Sequence, residues 1–166
     1  ETFGLRRAHM ARNYMTFSPL RLFARAPADL DVMSAHVQDA VLQTGDMTFL
    51  DDKRRFVLVM NRFCWELPQK ESLRVRSALQ IGGILEAKRR NIRSDKPDSV
   101  LSLLAVRFAP NDQPGDALAG TVSIIFSGGG EIRLAVEACE AILEDITQPW
   151  ATTRRPAHRP DSDARD

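Results

Sequence analysis

The sequence predicts an α+β fold: a strongly bent, mostly antiparallel sheet of about seven or eight strands, with an early helix and a C-terminal helix. Three observations lead there. Short runs with a period of two follow one another from Leu20 to Val136. Loops between successive runs are a few residues long, which favours antiparallel neighbours over crossover connections. Segments of helical period stand at the two ends of the series rather than between its strands. A bent sheet closed by a terminal amphipathic helix is the outline of a pleckstrin-homology-like barrel, the preferred architecture; a flat sheet with both helices on one face is its rival.

The elements follow in order. Leu20 to Ala26 alternates as a half-buried strand and stops at Pro27. Asp29 is the expected helix N-cap, and Leu30, Met33, Val37, Ala40 and Val41 keep helical spacing to about Leu42. Gly45-Asp46 closes that helix. Met47 to Leu50 is a short strand, Asp51-Asp52-Lys53 a turn, and Arg55 to Trp65 a central strand rich in β-branched and aromatic residues. Leu73 to Ile81 and Ile84 to Arg90 flank Gly82-Gly83, a hairpin signal. Val100 to Phe108 is strongly apolar. Thr121 to Phe126 and Ile132 to Val136 flank Gly128-Gly129-Gly130, and Cys139, Ile142, Leu143 and Ile146 then predict a helix over Glu137 to Ile146.

One domain is expected over residues 15–150. Residues 1–14 read as an extension with no apolar period, with a native start at Met10 or Met15, and 151–166 as an Arg/Pro-rich flexible tail. No apolar run approaches the ~20 residues of a membrane span. Net charge is +1 from 23 basic and 22 acidic side chains, so nothing in the overall balance speaks for a dedicated nucleic-acid binder. Cys64 and Cys139 lie in apolar settings, either as two buried thiols or as one disulfide; the first reading places the protein in the cytoplasm.

Few residues carry a chemical signature. The three glycines are followed by EIRLAVE, whose period is two, and not by Lys, Thr and a helix, so they read as a turn rather than a phosphate loop. No zinc spacing is present, and no metal, cofactor or catalytic residue is assigned. A second reading, a small-ligand or enzymatic site, would draw on His36 with the loop carboxylates Asp46 and Asp52. The clearest functional signal is basic. If the Gly82-Gly83 hairpin forms, Arg74 and Arg76 meet Lys88, Arg89 and Arg90 at its open end, as a solvated face or as an anion- or partner-binding cluster. Trp65 reads as core, and Trp150 either docks on the body or serves as a partner anchor.

The segments HVQDAVLQTGDMTFL, RRFVLVMNRFCWE, RVRSALQIGGILEAKRR, DSVLSLLAVRF, GTVSIIFSGGGEIRLAVEACEAILEDI and PWATTRRPAH together resemble a family of small proteins designated domain of unknown function 2948. The likeness runs from about Leu20 to His158. It implies a bacterial, mostly alphaproteobacterial and cytoplasmic protein with a native start near Met15, and it includes PWATTRRPAH in the domain. It carries no activity or site residue to any position here. Taken together, the sequence leads to a non-enzymatic binding or scaffold domain. Its expected partner is a protein or an anionic group, met through a strand edge or the basic hairpin.

Overall fold

Period-two segments need partners on both edges to satisfy their backbone groups, and the chain supplies them almost entirely from itself. A computed structural model describes residues 17–68, 72–112, 118–153 and 156. The extension expected over 1–14 and most of the tail after 150 lie outside these residues. So do parts of the expected loops, at 69–71 and 113–117.

In chain order the elements are β1 (Arg21–Ala24), α1 (Pro27–Val37), β2 (Val41–Gln43), β3 (Met47–Leu50), β4 (Arg55–Phe63) and β5 (Leu73–Ile81). They continue with β6 (Ile84–Arg90), β7 (Val100–Pro110), β8 (Gly120–Phe126), β9 (Glu131–Val136), β10 (Ala141–Asp145) and β11 (Trp150–Ala151). All pairings are antiparallel. The strand order is β1-β10-β5-β4-β2-β7-β8-β9-β6, with β3 on β4 and β11 on β5.

The long strand β7 bends the sheet. Its first residues pair with β2 and the remainder with β8, with a bulge between Leu103 and Ala105. A bulge adds a residue to one strand and increases local twist, which turns the chain from one half of the sheet to the other. Alternate residues of both halves face one core: Leu58 and Met60 of β4, Leu79 of β5, Val106 of β7, Ile124 of β8 and Leu134 of β9. The helix lies on it through Leu30, Met33 and Val37, all buried. Each such side chain contributes roughly 1.5–3 kcal/mol by leaving water.

The helix begins as the sequence indicates, with a refinement. Asp29 is not the cap but stands one turn in, where its Oδ2 accepts the Arg25 and Ala26 N–H groups at 3.0 and 3.2 Å. It ends at Val37, short of Leu42, because Asp39 adopts φ +61° and sends Val41 and Leu42 into β2.

The sheet holds eleven strands among the described residues where about seven or eight were expected, and two further expectations are corrected. The segment expected as a C-terminal helix contains β10, and no helix follows β9 among the described residues. Between β1 and β5 both of its edges are hydrogen-bonded, and Ala141 and Leu143 point into the core. A helix would have buried Ile146 with Ile142, whereas Ile146 is 52% exposed. The closing helix that a pleckstrin-homology outline requires is therefore missing from this region. The ladder is an open one, running from β1 to β6.

The second correction concerns Gly82-Gly83. These residues are a corner, not a hairpin: β5 pairs with β4 and β10, and β6 pairs with β9. Gly83 takes φ +65°, as a glycine at a turn allows, but the chain passes from one half-sheet to the other. The Gly82 N–H donates to Glu140 O, and the Glu137 N–H to Gly83 O. The segment joining β9 to β10 thus turns the same corner alongside it.

Candidate functional site

The glycine run closes the β8–β9 hairpin, with the Phe126 N–H donating to Gly130 O at 2.9 Å. Gly128 and Gly129 take φ +81° and +89°, which explains their identity without a ligand. The run also holds a neighbouring loop. Asn91 Nδ2 donates to Gly129 O at 3.2 Å, and a Cβ at Gly130 would come within 3.3 Å of Ile92 Cγ1.

The corner at Gly82-Gly83 separates the basic residues. Arg74 and Arg76 stay on the β4–β5 ladder, opposite Phe63 and Asn61. Their guanidinium groups are committed there. Arg74 Nη1 donates to Asn61 O at 3.0 Å and lies over the Phe63 ring, and burial pulls its pKa down. Arg76 donates to Asn61 Oδ1 at 3.3 Å and lies 3.6 Å from Asp46 Oδ1. Lys88, Arg89 and Arg90 face Arg133, Ile132 and Glu131 of β9 instead. Strand alternation divides these three again. Arg89 shares the face of buried Ile132, and Lys88 and Arg90 share the outer face. Trp150 begins β11 and pairs with Arg74, so the chain docks there while the residue remains 40% exposed. Trp65 is partly buried, its ring 4.7 Å from that of Phe63 and its Nε1 donating to Gln38 O.

Arg89 leads to a cleft of about 380 Å³ between β3 and β6. Its floor is Met47, Phe49, Phe56, Ile92 and Ile132; Ala87, Lys88 and Arg89 form one wall. Three consecutive strand residues lining one cavity mean that the strand's edge, not one of its faces, meets the space. β6 ends the ladder, and beyond the Ile84 N–H, which donates to Arg54 O, its outer edge has no strand partner among the described residues. The far wall is pinned through Gly45, whose N–H donates to Pro97 O at 2.7 Å and whose missing side chain permits that approach.

His36, Asp46 and Asp52 do not line this cleft. Asp46 accepts the Gln43 N–H and faces Arg76, Asp52 stands exposed in the turn before β4, and His36 Nδ1 is 3.9 Å from Glu66 Oε2. Among the described residues no group of three or more His, Cys, Asp or Glu side chains is placed to hold a metal ion. Cys64 and Cys139 are free and buried; burial pushes the Cys64 thiol up to about 12 and the Cys139 thiol upward as well. Neither is poised as a thiolate nucleophile.

A buried charge cluster went unremarked in the sequence. Arg62 follows Phe56, Leu58 and Met60 in the core-facing phase of β4, and its side chain is 0% exposed. Its five N–H groups match five bonds: Nε and Nη2 to Asp145, Nη1 and Nη2 to Glu66, and Nη1 to Phe63 O. Asp145 also accepts the Ser77 hydroxyl at 2.6 Å and the Leu20 N–H at 2.8 Å. Burial acts to raise the Asp145 carboxyl, but the bonds from Arg62, Ser77 and Leu20 outweigh it and hold it below the usual range. Burial likewise acts to lower the Arg62 pKa, and its bonds to Asp145 and Glu66 overcome this. The cluster is satisfied within the chain and ties β4, β5 and β10 together. The signal for it was present: a charged residue in the apolar phase of a strand.

No helix among the described residues is long and apolar enough to cross a membrane. No curated protein and no solved structure matches the chain. A family model does match residues 20–158, most of the chain and all of the described sheet: the chain belongs to the family described as Protein of unknown function (DUF2948).

Proposed function

We propose that this protein is a non-enzymatic binding or scaffold domain that takes up an extended segment of a protein partner along the open edge of β6. The observation that carries this reading is the cleft between β3 and β6, walled by a strand edge and floored by Phe49, Phe56 and Ile92. An added strand satisfies its own backbone groups on β6, and alternate side chains supply selectivity. One apolar side chain enters the cleft beside Arg89, and acidic neighbours face Lys88 and Arg90, since opposite charges across a strand pair are favourable. Trp150, next to Arg74 on the other half-sheet, offers a second, aromatic anchor. The two buried thiols support a reducing compartment, for which we propose the cytoplasm.

The runner-up reading is a small-ligand or enzymatic site assembled from His36 with the loop carboxylates Asp46 and Asp52. Because none of the three lines the cleft, its chemistry favours binding.

Selection from a displayed random-peptide library tests the proposal. Enriched peptides are expected to carry one large apolar residue with Asp or Glu at alternating positions. They should slow amide exchange in β6, and Ala87→Arg should abolish binding. Peptides that protect another segment, or no enrichment at all, overturn it.

A further inference from the structure

Strand register assembles a second feature on the outer face of the other half-sheet. Lys88 of β6 stands opposite Arg133 of β9, Arg133 opposite Ser123 of β8, and Ser123 opposite Arg107 of β7. Neighbouring strands are ~4.8 Å apart, so one row spanning about 15 Å holds three cations and a hydroxyl. The next row toward the β7–β8 loop is Glu86, Ala135, Thr121 and Ala109. The short side chains of Ala135, Thr121 and Ala109 leave a shallow cavity of about 480 Å³ bordered by Lys88, Arg133, Ser123 and the Glu86 carboxylate, while Arg107 ends the row outside that lining.

The cations here are lightly held. Lys88 lies 3.7 Å from Glu86, and Arg133 3.0 Å from Glu131. Lys88 and Arg133 are 71% and 63% exposed, and such surface pairs add little to stability, so an incoming anion displaces them at small cost. The site shares Lys88 with the β6 edge but differs from it otherwise: it uses one face of four strands, and Arg107 and Arg133 have no place in the cleft.

The chemistry of the row selects its occupant. Guanidinium groups, an ammonium group and hydroxyls on a concave floor match a compact, multiply charged oxyanion. The row beyond, Ala105, Ile125, Glu131 and Arg90, adds no aromatic side chain, so the face lacks the stacking platform of single-stranded nucleic-acid binders. We propose that this face binds the phosphomonoester group of a small molecule, held by Lys88, Arg133 and Arg107 with Ser123 and Thr121 as hydroxyl donors.

NMR titration with inorganic phosphate and with phenyl phosphate, at constant ionic strength against chloride, tests it. Saturable shifts are expected at the Ser123 and Arg133 amides. Arg133→Gln and Arg107→Gln should each weaken binding about tenfold, the scale of one charge-assisted hydrogen bond, with unchanged melting. Ala87→Arg should leave the shifts intact while abolishing peptide capture, so the two proposals fail separately. Shifts that are linear, that chloride reproduces, or that persist in the Arg107→Gln/Arg133→Gln double variant overturn the proposal.

Discussion

Arg62 and Arg133 are both strand arginines facing carboxylates, yet they do opposite work. Arg62 is withdrawn from water, and each of its five N–H groups has a partner in its own chain. Arg133 is 63% exposed and meets one carboxylate on its own strand, two residues away. A buried charge with all donors used has nothing left to offer a ligand, and removing its partner is costly. An exposed charge in a row of like charges adds little to stability and retains its capacity to bind. Charge alone does not distinguish a fold-forming residue from a recognition residue; saturation does.

The comparison breaks most sharply at Asp145. Asp145→Ala leaves the guanidinium buried without two of its five bonds and should cost about 3–5 kcal/mol, seen as a large fall in thermal midpoint. An unchanged midpoint would mean that the cluster is not holding the β4–β5–β10 region. The same carboxyl predicts a pH dependence. Its folded-state pKa is depressed, so its contribution is complete above the ordinary carboxylate range and is lost as pH falls through the lowered value. Asp145→Asn should remove that component from acid unfolding curves.

A smaller loss tests the packing of the exposed half. At Gly120 an added Cβ would meet Ala109 O and lie 2.6 Å from a Phe108 ring carbon, so Gly120→Ala should cost about 1–3 kcal/mol by overpacking. Trp150→Ala removes an aromatic side chain that is 40% exposed from a two-residue strand. It should cost about 1 kcal/mol, and a melt identical to the parent's would contradict docking of the tail. Smallest of all, Arg133→Gln should stay within about 0.5 kcal/mol of the parent in denaturant titration, because its role lies outside the fold.

Most strands were legible because alternation is local. Thr121 to Phe126, the glycine turn and Ile132 to Val136 are found where the sequence places them, as are the first turns of α1 and the turn at Asp51 to Lys53. Glu137 to Ile146 misled because Cys139, Ile142, Leu143 and Ile146 satisfy a helical stripe over too short a window. Neighbours β1 and β5 override that stripe by pairing both edges of β10. The candidate site was legible in part. Lys88, Arg89 and Arg90 were identified from their run, whereas Arg107 and Ser123 join Lys88 only through register across β8 and β9. Arg74 and Arg76 were grouped with them through a hairpin that does not form.

By itself, then, the sequence determined where most of the strands lie, which face of each is apolar, and where glycine must turn the chain. Those properties depend on neighbours a few residues apart. The tertiary structure alone decided that Gly82-Gly83 is a corner, that Arg62 and Asp145 meet 83 residues apart, and that three scattered cations share one row. Strand pairing is a contest among distant edges, settled by which register buries every apolar face at once. No local window contains that information.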